Sequence, residues 1–121
     1  MTTPQPQPNS LQATLTGLKQ SLGTLRQYLA ELNLEHAAAK PNPLKAYYCD
    51  EYDRIGQNMR NSEQDLHRTI RALKQGATFQ TAYPAGARVI PRTYGVHAQM
   101  LLQHVGYLVY EFHELSSEVH R

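Results

Sequence analysis

The chain has 121 residues, a formal net charge of +2 and a single cysteine, Cys49. That length suits one domain with a modest core, and a lone cysteine excludes an internal disulfide. The small net charge excludes a global field strong enough to draw the chain onto nucleic acid or membrane, so any charge effect must come from local clustering.

The opening Met1-Thr-Thr-Pro-Gln-Pro-Gln-Pro8 has neither a basic nor an apolar region and does not read as a secretory signal. Its alternating prolines predict a flexible, extended tail over residues 1–9, ahead of a single helical domain over 10–121. No run of about eighteen apolar residues follows, so no membrane span is expected. The composition fits a reducing, cytoplasmic setting.

Leu11, Leu15, Leu18, Leu22, Leu25, Leu29 and Leu32 alternate steps of four and three. This heptad spacing predicts a coiled-coil-like helix over 10–39 that must be covered by a partner surface. Asn9 or Ser10 is the expected N-cap. Gly17 and Gly23 weaken the helix by about 1 kcal/mol each relative to alanine, and they invite close approach of a neighbour. Lys40-Pro41-Asn42-Pro43 ends it, with Asn42 as N-cap and Pro43 at the first position of the next helix. So short a link predicts antiparallel neighbours.

The second helix is expected over 43–75. Its buried stripe reads Leu44, Tyr48, Tyr52, Ile55, Met59, Ser62, Leu66, Ile70 and Leu73. Asp50, Glu51 and Asp53 near its start and Arg68, Arg71 and Lys74 near its end complement the helix dipole. Residues 77–92 form a long connection whose residue types suit a small β-hairpin, limited by Pro91 to an edge. A third helix from Thr93 carries Ala98, Leu101, Val105, Leu108, Phe112, Leu115 and Val119, widened by Leu102 and Val109. It should be the most buried of the three, with Gly106 permitting close approach. The fold expected is all-α, an antiparallel three-helix up-down-up bundle.

That layout sorts polar residues to two ends. Arg60, Gln64, His67, Arg71 and Lys74 share one stripe of the second helix, with Arg68 beside them and Arg88 and Arg92 on the loop. With Phe79, Tyr83 and Tyr94 available for stacking, this set could hold phosphates and bases. The plainer reading is a solvated face with dipole compensation.

Within it, Arg92-Thr-Tyr-Gly-Val-His97 places four residues between an arginine and a histidine. This spacing resembles the motif of HEPN-type ribonucleases, small all-α domains that cleave RNA across a dimer interface. The resemblance implies Arg92 and His97 as catalytic candidates, the histidine moving a 2′-hydroxyl proton and the arginine steadying phosphorane charge. Thr93 departs from the family's usual follower. Arg60 to His67, with Asn61 after the arginine, is a second match.

The other end gathers His36, Cys49, Asp53, His113 and His120, all metal-ligand types. Paired spacings such as His-x-x-x-His or Cys-x-x-Cys are missing, so neither a metal nor a cofactor is expected. Tyr47, Tyr48 and Tyr52 could cluster with Tyr107, Tyr110 and Phe112 of the third helix. Such aromatics sit in a core or on a rim, and an exposed set suits a protein interface. The leading expectation is therefore a non-enzymatic helical interaction protein that self-associates, as a homodimer, and docks onto a larger complex. Nucleic-acid binding through the basic face is the alternative, and a HEPN-like ribonuclease the third.

Overall fold

The computed structural model describes residues 6–75 and 94–121, with side chains from 12 to 75 and from 96 to 121. Among the described residues there are three long helices: α1 (Pro6–Ala39), α2 (Cys49–Gln75) and α3 (Tyr94–Val119). A 3-10 segment, Pro43–Tyr48, leads into α2. Each helix packs on both of the others, and no strand occurs among the described residues. The hairpin expected at 77–92 lies outside them.

Most stripe residues with described side chains are buried or packed against the core. From α1, Leu18, Leu22, Leu25 and Leu32 enter the core, with Leu15 and Leu29 against its edge. From α3, Ala98, Leu101, Val105, Leu108, Phe112, Leu115 and Val119 are all buried. From α2 come Tyr52, Ile55, Met59, Ser62, Leu66 and Ile70. Each fully buried large apolar side chain contributes about 1.5–3 kcal/mol, which outweighs the helix-weakening glycines.

Four local expectations need correction. Helix α1 begins at Pro6, not at Asn9 or Ser10. Prolines in a first turn cost little, because the N–H groups there have no intrahelical acceptor in any case. Leu44, expected in the stripe, is 88 % exposed. The reason is the 3-10 pitch: three residues per turn instead of 3.6 swing Leu44 off the α-helical stripe. Asn42 still caps this segment, its Oδ1 accepting from the Leu44 N–H at 3.0 Å.

The glycines also divide differently. A methyl at Gly17 would meet Leu102 at 3.7 Å, but at Gly23 and Gly106 it would meet open space. The close approach is instead at buried Gly56, where a Cβ would stand 3.2 Å from Leu32 Cδ2. Finally, α3 is not distinctly the most buried helix, since Val96, Met100, Tyr107 and Tyr110 on it are exposed.

Candidate functional site

Helix α2 has two polar flanks of opposite character. On the α1 side, Glu35 acts as a hub. It accepts from the Tyr52 hydroxyl at 3.0 Å and from Ser116 Oγ at 3.0 Å, and His120 Nε2 lies 3.5 Å away. Tyr52 is 0 % exposed, and its ring stacks on His36 at 5.6 Å. Burial, then the bond to Glu35 and that carboxylate's charge, hold the Tyr52 hydroxyl above its ordinary pKa. Tyr52 is therefore a core residue with a satisfied hydroxyl, and it leaves the set of interface candidates.

The α3 side is open. A groove of about 380 Å³ runs between α2 and α3 beside the 3-10 segment. Its floor is Ile55 and Leu115, both buried. Aromatic walls come from Tyr47 and Tyr48 on one side and Tyr107 and Tyr110 on the other. Tyr47 and Tyr48 meet edge to face at 5.4 Å. Tyr47 is 81 % exposed, Tyr107 58 % and Tyr110 59 %. Leu44 and Tyr47 are three apart in a 3-10 turn, so they stand on one edge and present a joint apolar lip.

The groove's charge is set by Glu51, Glu111, Glu114 and Glu118 against a single cation, Arg54. Arg54 is already engaged, its Nη2 donating to Glu51 and to Glu111 at 3.0 Å each. Those two bonds, Glu51's first, raise the guanidinium pKa above its ordinary value. Glu114 takes only a long bond of 3.5 Å from the Tyr110 hydroxyl. Four carboxylates against one arginine leave an excess of three negative charges in a chain whose formal net charge is +2.

The basic face carries a second hollow. Gln64, His67, Arg68 and Arg71 line a hollow of about 430 Å³ on α2. Arg26 of α1 reaches both His67 and Glu63, the latter at 2.9 Å, so part of this face is tied to α1. Arg60 turns to Gln57 at 3.3 Å, and Lys74 is exposed near the end of α2. Arg88 and Arg92 lie outside the described residues. His97 is 7 % exposed, with Nε2 3.8 Å from Asp65 of α2. A buried imidazole facing a carboxylate is poorly placed to take a proton from a solvent-borne RNA.

Among the described residues, no three His, Cys, Asp or Glu side chains gather as a metal would need. His36 lies 3.7 Å from Asp53, while His113 instead meets Tyr28 edge to face. Sequence reasoning passed over Glu35, Arg54 and Ser116. The available signal was positional: each flanks a buried stripe, where a polar side chain must find a partner.

No family model, curated protein or solved structure matches this chain. Fold and site together define a class: an all-helical protein bearing an exposed aromatic groove with an acidic lining. No helix among the described residues is long and apolar enough to cross a membrane.

Proposed function

We propose that the protein is a non-enzymatic interaction module that docks a partner protein, or a second copy of itself, through the groove between α2 and α3. One observation carries this: Tyr47, Tyr107 and Tyr110 remain exposed around a concave surface, and exposed Leu44 lies three residues before Tyr47 in the same 3-10 segment. Tyrosine is enriched at protein interfaces because it offers large, stiff apolar area with a polar tip. Ligand pockets for small molecules are mostly apolar and enclosed, whereas this one is open and carries four carboxylates.

The up-down-up path supports the reading, because it brings the start of α2 beside the end of α3. Its support is the pairing of Arg26 with Glu63 and Glu35 with Tyr52, of Arg54 with Glu111, and of Glu35 with Ser116. As one index of each first two pairs rises the other falls, and Arg54 with Glu111 and Asp65 with His97 behave likewise.

The test is a comparison of the native protein with a Tyr47→Ser/Tyr107→Ser variant. Light scattering reads self-association and co-purification from the source cell reads a partner. The reading predicts that the native chain dimerises or retains a partner, and that the variant loses it with unchanged helical circular dichroism. Identical behaviour of the two proteins contradicts it. A second reading, nucleic-acid binding, has the Gln64–Arg71 hollow in its favour. It requires salt-dependent oligonucleotide binding that falls in Arg68→Ala/Arg71→Ala.

A further inference from the structure

We infer that the occupant of the α2–α3 groove is a basic segment of a partner protein, a helix or peptide bearing lysine or arginine among apolar residues. The inference rests on the reading of the groove as a docking surface and adds the chemistry of what docks.

The argument is charge complementarity joined to shape. The groove concentrates negative charge in a chain that is otherwise slightly basic. Its one cation is spent internally, because Arg54 pairs with Glu51 on its own helix and braces α2 to α3 through Glu111. Glu114 and Glu118 are exposed and line the rim. An acidic segment, a nucleic acid or an anionic lipid would meet like charge there, which is costly. A lysine or arginine would meet carboxylates at the rim and tyrosine faces on the walls, and both attract it. The apolar part of such a segment would cover Leu44 and Tyr47 and approach the floor at Ile55 and Leu115. The charged rim steers and selects, and the aromatic walls hold.

The experiment titrates the isotope-labelled full chain with three peptides of about fifteen residues, long enough to form helix. They share one leucine pattern and carry arginine and lysine, glutamine, or glutamate at the remaining positions. Backbone amide shifts report where binding occurs. The inference predicts that the basic peptide moves signals of Tyr47, Tyr107, Tyr110 and Glu114 together. It predicts that affinity falls about tenfold or more on raising salt or in Glu114→Lys/Glu118→Lys, as screened and reversed rim charges require. The glutamate peptide should leave those signals unmoved.

Equal binding of the glutamine or glutamate peptide in the groove overturns the inference but leaves the docking surface standing. Groove shifts that depend on protein concentration, with no peptide bound, make a second copy the occupant and overturn the inference alone. Basic-peptide shifts that gather elsewhere, or survive the lysine substitutions, also overturn it. A groove whose signals answer neither to peptide nor to concentration removes the inference and counts against the docking reading with it.

Discussion

Two tyrosine environments on α2 and its neighbours show what decides between core and surface. Tyr52, facing α1, is fully buried because Glu35 accepts its hydroxyl and His36 covers its ring. Tyr47, Tyr107 and Tyr110, facing the α2–α3 groove, keep their rings in water. The residue type is the same, and all lie beside apolar seams. The difference is packing together with the acceptor: Tyr52 lies under the His36 ring with Glu35 3.0 Å from its hydroxyl, whereas Tyr110 reaches Glu114 at 3.5 Å from an exposed ring. One flank of α2 is thus closed by an internal polar hub, and the other is left as surface.

The largest effect that sharpens this contrast is on stability. Leu25→Ala removes a fully buried side chain from the α1 seam and should cost about 2–5 kcal/mol in urea unfolding. Tyr107→Ser on the open flank should change stability by no more than about 0.5 kcal/mol. Comparable losses at both positions would mean that the groove is part of the core.

Next in size is Tyr52→Phe, which deletes one of the two hydroxyl bonds to Glu35 and should cost about 1 kcal/mol near neutral pH. Its pH dependence carries a sign. The folded chain holds the Tyr52 proton to a higher pH than the unfolded chain does. The stabilisation is therefore complete below about pH 10, the unfolded tyrosine value, and is lost as pH rises above it. Native protein should lose stability above that point faster than Tyr52→Phe. Parallel curves would show that the hub does not hold the proton.

Much of this architecture was legible in the residues. The α3 stripe from Ala98 to Val119 and the leucines of α1 followed the three–four spacing because burial acts on whole helical faces. Leu44 was not legible, since the choice between a 3-10 and an α turn after Pro43 shifts every azimuth before Cys49. Nor was the groove. Its four glutamates come from two helices, and only packing shows that Arg54 ties Glu51 to Glu111. His97, named as a catalytic candidate from its spacing to Arg92, is buried with its Nε2 3.8 Å from Asp65, a placement that spacing alone does not give.

The smallest effects concern glycine. Gly23→Ala and Gly106→Ala meet open space and should each stabilise by up to about 1 kcal/mol. Gly56→Ala should not share the gain, because the new methyl would press on Leu32, itself buried and hemmed in. Chemical denaturation of the three variants reads the difference. An equal gain at Gly56 would mean that the α1–α2 seam is looser than described.

The most direct measurement of the central claim replaces one residue at a time with a photo-crosslinking amino acid in the full chain, in its native cell. Three exposed positions are compared: Tyr107 in the groove, Arg71 on the basic face and Gln27 on α1. The account predicts a discrete protein adduct, or a crosslinked dimer, from Tyr107 and none from Gln27. Adducts from Arg71 with none from Tyr107, or equal labelling from all three, would contradict it.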